Sequence, residues 1–291
     1  MDVSVIIVNY NTCRMTAECI DSVFAQTKDI AFEVILVDNG STDESKDFFS
    51  NDPRITYIYN EENLGFGRAN NIGVSSATGK YLFFLNSDTI VKNNALKIFI
   101  ECADRLRESG IIGFLGTQCH DAEGRPNGYG GKFPTLWRSL LGALHLVPVK
   151  ARRKEPFSMF SVDYVTGADL FVAKNVFLEL GGFDESFFMY YEETDLQKRA
   201  KKLGYSSAII YGPDIVHLEG RSSRQRTNNN KRMMVEKSQQ QFLKKHNSSI
   251  RYKLYLCCYL CARSMTFFTG RYTLKENINY YRLLLDFWAR K

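Results

Sequence analysis

Four apolar runs of strand length, VSVIIVNY from residue 3, EVILVDNG from 33, ITYIYN from 55 and YLFFLN from 81, alternate with helical periodicity at 12–26, 42–50, 66–77 and 93–108. The runs are rich in β-branched and aromatic residues and rarely broken by polar ones, the pattern of strands buried on both faces. Strand followed by helix, repeated four times, admits few arrangements. Right-handed crossovers lay the strands parallel, and the helices cover the sheet. The expected class is α/β, with a mostly parallel central sheet flanked by helices.

In such a sheet, ligands bind beyond the carboxyl ends of the strands, near the point where strand order reverses. The polar residues fall at those ends. Asn9 and Asn11 follow the first run, Asp38, Asn39 and Gly40 the second, Asn60 and Asn63 the third, and Asn86 and Asp88 the fourth. Singly, each is an ordinary turn or capping residue. Gathered on one rim, they predict a ligand crevice. The stretch GKYLFFLNSDTIV, residues 79 to 91, sharpens the point, because a carboxylate closing a buried strand is costly unless its charge is compensated.

Composition narrows the class further. At 291 residues, 44% of them hydrophobic, the chain suits one large domain or a domain with appendages and buries a sizeable core. The net charge of +6 is unevenly placed. Arg152, Arg153 and Lys154 form one basic cluster; Arg221, Arg224, Arg226, Lys231 and Arg232 form another. These are either solvated faces or contacts for phosphates or a membrane surface; nucleic acid is not an expected partner. Seven cysteines, an odd number, show no disulfide framework. The start MDVSVIIVNYN lacks the basic region and length of a signal peptide. The chain is therefore expected to be cytoplasmic and reduced. Cys258 and Cys261 make an isolated CxxC within an apolar stretch, which reads as packing rather than as a metal or redox pair.

Taken together, VSVIIVNYN, EVILVDNGSTDES, NLGFGRANNIGV, YLFFLNSD and GGFDESFFMYYEETDLQKRAKKLG resemble the successive motifs of family 2 glycosyltransferases, in particular the rhamnosyltransferase-like branch. The resemblance runs from about residue 3 to 220. It implies the GT-A fold over residues 1–220, with a Rossmann-like nucleotide-sugar-binding half at 1–115 and an acceptor and catalytic half at 116–220. Residues 221–291 would form a basic, amphipathic helical extension.

The resemblance also implies roles. Asn86-Ser87-Asp88 stands where the family carries a DxD-type element, with an amide in place of the first acid, and Asp88 would hold Mg²⁺ or Mn²⁺ against the donor's diphosphate. A single protein carboxylate suffices when phosphate oxygens and water complete the shell. His217 would be a second ligand, whereas His120, His145 and His246 show no partner in the sequence. Asp38 would accept N3–H of a uracil or thymine ring lying along Asn9, Tyr10 and Asn11; the competing reading is a cap for the following helix. Gly65, Gly67 and Gly73, with Arg68 and Asn70, would bring a helix start close under the nucleotide.

The stretch YYEETDLQKRAKKLG, residues 190–204, reads as a helix, with Leu196, Ala200 and Leu203 on one face. Glu192 and Glu193 sit at its first turn, where the helix dipole favours carboxylates, and Asp195 and Arg199 are spaced to pair. By resemblance, Glu193 is the general base, where the family more often has Asp. Glu192 and Asp195 would hold the acceptor and brace the helix, and the rings of Tyr190 and Tyr191 would lie along a sugar. The implied activity is inverting transfer of a sugar from a nucleotide-diphosphate donor to a glycan or polyprenyl-diphosphate-linked acceptor in cell-surface polysaccharide synthesis. Two alternatives stay open. A sugar nucleotidyltransferase would want a glycine-rich basic loop after the first strand, which NYNTCRM lacks; an inactive nucleotide-sugar-binding scaffold would not need Asp38, Asp88 and Glu193 together.

No window has the roughly 18 apolar residues of a membrane span. Residues 252–268 are apolar and aromatic but broken by Lys253 and Arg263. They read either as a helix lying in a membrane interface, making the protein peripheral at the cytoplasmic face, or as one that packs on the catalytic domain.

Overall fold

The four sequence-expected strands appear as β1 (Val3–Asn9), β2 (Phe32–Asn39), β3 (Ile55–Asn60) and β4 (Tyr81–Asn86). The helices between and after them are α1 (Cys13–Gln26), α2 (Ser45–Phe49), α3 (Phe66–Ser76) and α4 (Ala95–Arg107). The computed structural model describes residues 1–107, 112–143, 159–218, 229–267 and 272–289. The basic residues Arg152, Arg153, Lys154, Arg221, Arg224 and Arg226, and also His145, lie outside the described residues.

The remaining strands are β5 (Thr89–Val91), β6 (Ile112–Thr117), β7 (Gly130–Gly131), β8 (Met159–Val162), β9 (Tyr164–Val165), β10 (Asp169–Ala173), β11 (Ser206–Ile210) and β12 (Ile215–His217). The remaining helices are α5 (Leu136–Ala143), α6 (Lys174–Glu179), α7 (Glu192–Lys202), α8 (Asn229–Lys245), α9 (Ser249–Arg263) and α10 (Leu274–Ala289). Among the described residues, eight strands share one sheet in the order β3-β2-β1-β4-β10-β6-β11-β8. β1 to β4 are mutually parallel, and β10 enters antiparallel between β4 and β6. The mostly parallel sheet flanked by helices is thus present, with β10 and β8 as its reversed strands.

β1, β2 and β4 look apolar throughout because they face core on both sides; β3, expected to be buried likewise, is the edge strand of the sheet and has no buried residue. Val3, Val5 and Ile7 pack with Val34, Leu36, Phe83 and Leu85 under α1 and α4. Ile6, with Ile35, Val37, Leu82 and Phe84, packs on the other side under α3, α6 and α7. A cluster of rings ties α4 to the sheet: Phe99 stacks on Phe171 at 5.2 Å and 11°, and Phe83 lies 5.2 Å from Phe99.

Packing divides the chain into two compact units. The first takes Met1–Phe133, Pro156–Phe188 and Glu192–Arg224; the second takes Pro134–Glu155, Met189–Tyr191 and Gln225–Lys291. The second unit is helical. It recruits α5, which packs on α9, and residues 189–191, where Ser238 Oγ donates to the Met189 carbonyl at 2.6 Å and the Tyr191 ring lies 5.7 Å from that of Phe242. Its core is rich in tyrosine, so it also holds polar partners. The buried Glu236 carboxylate accepts from Tyr259 OH at 3.0 Å, Tyr280 OH at 2.7 Å and Gln240 Nε2 at 2.7 Å. Among the described residues, no helix is long and apolar enough to cross a membrane.

Candidate active site

The sheet order places the reversal of strand order at β1, with β2 on one side and β4 on the other. Register sets Asn9 beside Asp38 and Val8 beside Asn86, so the strand-ending polar residues share one rim. β5 then pairs antiparallel with β12, matching Thr89 to His217. This ribbon brings two sequence-remote side chains together: His217 Nε2 stands 3.1 Å from Asp88 Oδ1, with side-chain exposures of 10% and 27%. Asn86 Nδ2 lies 3.4 Å from the same imidazole nitrogen. Below them the Cys19 thiol faces the Asn86 carbonyl and Thr89 Oγ1 at 3.5 and 3.4 Å, and burial pushes it up to about 12.

Asn9 is fully buried. Its Oδ1 accepts from the hydroxyls of Thr12 and Thr16 at 2.8 and 2.9 Å, and its Nδ2 donates to Ser41 Oγ at 3.1 Å. Asn11 occupies the left-handed region at φ 55°, where its Oδ1 accepts from the Thr42 N–H at 2.7 Å. Tyr10 between them is exposed. Asp38 is 0% exposed and already engaged on both oxygens, by the Ser41 N–H at 3.0 Å and by Tyr57 OH at 2.8 Å. Burial, together with that contact to Asp38, pushes the Tyr57 phenol up. Asn39, Asn60 and Asn63 form a chain of side-chain amides, at 3.0 and 2.9 Å, that holds the loop ahead of α3.

Gly65 caps α3 at φ 86°, and any Cβ there would collide with the Phe188 carbonyl oxygen, which accepts from the Phe66 N–H at 2.9 Å. Gly73 lets α3 lie on the sheet, since a Cβ would meet Ile6 and Val37 methyls at 2.7 and 3.1 Å. Arg68 is exposed, 3.5 Å from Glu185. Asn70 is buried and donates to the Phe66 carbonyl within its own helix at 2.9 Å.

The acids of α7 divide sharply. Asp195 is fully buried and pairs with Arg199 Nε at 2.8 Å; Arg199 in turn donates to the carbonyls of Leu180 and Gly182. That is a bracing geometry. Glu192 is buried, its Oε2 has no hydrogen-bond partner, and burial and then Glu193 hold its carboxyl well above the usual range. Glu193 is partly exposed and accepts from Thr194 Oγ1 at 3.1 Å; burial raises it too. A Cβ on Gly167 would lie 3.8 Å from Glu193 Cγ, and the next carbonyl, of Ala168, accepts from the Asn86 N–H at 3.0 Å. The Gly167–Ala168 turn is therefore bonded to the end of β4 and runs close to the Glu193 side chain.

Two residues that sequence reasoning missed complete this turn. Gln197 clasps Val165, accepting from its N–H and donating to its carbonyl, both at 2.8 Å. Asp169 is fully buried; its Oδ2 accepts from the Thr117 N–H at 2.5 Å, while Oδ1 has no partner. Desolvation pushes Asp169 up to about 8, with the Thr117 bond and nearby His217 opposing. The sequence signal was faint: an acid opening the apolar run DLFVA.

The chemistry of Asp88 and His217 fits a hard or borderline divalent cation. Ligands at adjacent corners of an octahedron with bonds of about 2.1 Å stand roughly 3 Å apart, which is the spacing of this pair. Among the described residues, no group of three or more His, Cys, Asp and Glu is gathered for a metal, so phosphate or water oxygens would have to fill the remaining positions.

Comparison with known proteins places the chain. The model of glycosyl transferase family 2 matches residues 4–145. The low-salt glycan biosynthesis hexosyltransferase Agl10 of Haloferax volcanii is 30% identical over 221 residues, covering 74% of this chain and 67% of that protein. The N-acetylglucosaminyl-diphospho-decaprenol L-rhamnosyltransferase of Mycobacterium tuberculosis is 26% identical over 214 residues, covering 65% of this chain and 67% of that protein. Among solved structures, Staphylococcus aureus TarS 1–349 aligns with TM-score 0.55 at 18% identity, covering 99% of this chain and 81% of that one. GalNAc-T7 with UDP, GalNAc and Mn²⁺ aligns with TM-score 0.61 at 17% identity, covering 98% and 55%. At these identities the structural likeness speaks for the fold, which is GT-A. The chain belongs to glycosyl transferase family 2.

Proposed function

We propose that this glycosyltransferase is inverting and metal-dependent, moving a hexose from a UDP- or dTDP-linked donor to a hydroxyl of a glycan or lipid-linked glycan. The observation that carries the reading is the arrangement at the end of β4. The Asp88–His217 pair stands beside it, and the Gly167–Ala168 turn, whose Ala168 carbonyl accepts from the Asn86 N–H, runs close to the Glu193 side chain. The names of the relatives support the substrate class: one is a hexosyltransferase of glycan biosynthesis and another acts on a diphospho-decaprenol-linked sugar.

Mg²⁺ or Mn²⁺ held by Asp88 and His217 would supply the charge that offsets the leaving diphosphate. The chain's own residues do the rest. Glu193, kept basic by its enclosed position, takes the proton of the acceptor hydroxyl. The freed oxygen bonds to the anomeric carbon as the bond to the diphosphate oxygen breaks on the opposite face, and the configuration inverts. Asn9, Asn11 and Ser41 fix the loops at the β1 and β2 ends, where Tyr10 offers an exposed ring to the base. For Asp38 the geometry favours bracing of residues 38–41; recognition of N3–H there would draw on lone pairs left over from Ser41 and Tyr57. Arg68 is the exposed cation of the α3 start, paired with Glu185 at 3.5 Å and suited to a phosphate. Glu192 is the enclosed neighbour of the base. Tyr190 and Tyr191 are proposed acceptor contacts; both are non-glycine residues at positive φ, 69° and 73°, a strain of the kind kept at functional positions.

The test is a panel of UDP- and dTDP-sugars with and without Mn²⁺, scored by thermal shift and by slow release of nucleoside diphosphate. Metal-dependent release from at least one donor is expected. Absence of both signals across the panel would leave an inactive scaffold as the better account.

A further inference from the structure

The second unit carries a surface to which the proposed transfer chemistry assigns no role. Helix α9 buries Tyr252, Tyr255, Leu256, Tyr259 and Ala262 on one side. Its opposite side is also apolar: Ile250 is 75% and Leu254 65% exposed, and Cys257, Cys258 and Cys261 are exposed in line with them. At 100° per residue these five fall within an arc of about 100°, centred opposite the buried side. Arg251 and Lys253 flank that arc, one on each side, and both are exposed. Helix α10 also exposes Leu274, Ile278 and Leu285, but its nearby cations, Lys275 and Arg282, fall on one side only.

A helix with an apolar stripe edged by cations on both sides matches the boundary between lipid headgroups and acyl chains. The charge of the chain points the same way. Residues 225–291 hold fourteen Lys and Arg against three Asp and Glu, a net of +11, which leaves −5 for residues 1–224. A soluble protein partner would not require such a one-sided distribution, whereas an anionic bilayer surface attracts it. At about 22 Å, fifteen residues are too short to span a bilayer and long enough to lie along one.

We propose that the outer face of α9, with Ile250, Leu254, Cys257 and Cys261 at its centre and Arg251 and Lys253 at its edges, docks on an anionic lipid surface. The stripe enters the headgroup boundary, and the two cations stay at phosphate level. This docking would bring the enzyme to the plane in which a lipid-linked acceptor lies, but it does not depend on the transfer reaction.

The experiment is vesicle flotation of the full chain with phosphatidylglycerol–phosphatidylcholine vesicles and with pure phosphatidylcholine, at low and high salt. The wild-type chain should float with the anionic vesicles and lose most of this in pure phosphatidylcholine or high salt. Ile250→Glu with Leu254→Glu should cut the bound fraction by roughly tenfold; both side chains are exposed, so folding is spared. Arg251→Gln with Lys253→Gln should weaken binding in the same direction. Donor hydrolysis in solution should be unchanged in both variants, which separates failure of this docking from failure of the transferase reading. No flotation at low salt, or flotation unaffected by the glutamates, overturns the proposal. So does a wild-type dimer, seen by light scattering, that the glutamates convert to a monomer, since the stripe would then be an interface between copies.

Discussion

Glu192 and Glu193 are neighbours in sequence and differ in surroundings. Glu192 lies deeper and its Oε2 has no partner, and burial, with the charge of Glu193 added, raises it well above the usual range. A base must be ionised to act, and burial raises Glu193. The acid limb of the kcat/KM profile is therefore expected above the ordinary glutamate value of 4.5, with activity rising as pH climbs through it. Glu193→Gln should lower turnover by about 10²-fold or more while donor binding persists. Glu192→Gln, which leaves the Glu193 carboxylate in position, should keep an acid limb in the profile. If Glu193→Gln transfers sugar at the wild-type rate, the base lies elsewhere. Asp169 makes a separate prediction, about stability. Its folded value of about 8 exceeds the ordinary 3.8, so the folded state holds a proton that the unfolded chain releases first. Stability should fall as pH rises from about 4 to about 8 and then level off. Asp169→Asn keeps the acceptor for Thr117 and should flatten that decline in a series of melting curves. Neither environment was legible in the sequence. The EETD acids mark a helix start, but which of them is enclosed depends on Gly67, Gly167 and the turn before β10, and Asp169 owes its burial to strands remote from it in the chain.

Elements were legible where one segment carries its own reason. β1, β2 and β4 and the helices between them follow from unbroken apolar runs and helical spacing, because each of those strands is covered on both faces, whereas β3 shows the same run at the sheet edge with no buried residue. β10 was not, since its short run gains meaning only from pairing with β4 and β6. The Asp88–His217 pair belongs to the same class: residues 129 positions apart become neighbours only when β5 meets β12, and only the family resemblance pointed there. The close approach at α3 gives the prediction at this scale. Gly65→Ala combines φ 86° with a collision against the Phe188 carbonyl, and should destabilise the first unit by about 1–3 kcal/mol. Phe171→Ala, which removes the ring stacked on Phe99, should cost about 3–5 kcal/mol. Urea denaturation would rank both; a neutral Gly65→Ala would mean that the α3 start is not held as described.

The whole molecule joins an α/β unit carrying the candidate site to a basic helical unit, and most of the second was legible only as charge and amphipathicity. Its inward tyrosines around Glu236 follow no local pattern, because each hydroxyl is satisfied from another helix. Ligand linkage acts on the molecule as a unit. A donor nucleotide at 100 times its dissociation constant adds about 2.7 kcal/mol to stability. UDP with Mn²⁺ should therefore raise the melting temperature by several degrees more than UDP alone, and Asp88→Ala should erase that increment. The most direct measurement is crystallographic: the protein with UDP and Mn²⁺, with data collected for the anomalous signal of manganese. The account predicts a single strong peak within bonding distance, about 2.0–2.3 Å, of Asp88 Oδ1 and His217 Nε2, in contact with the diphosphate. A manganese peak and a diphosphate located away from those two side chains would contradict it.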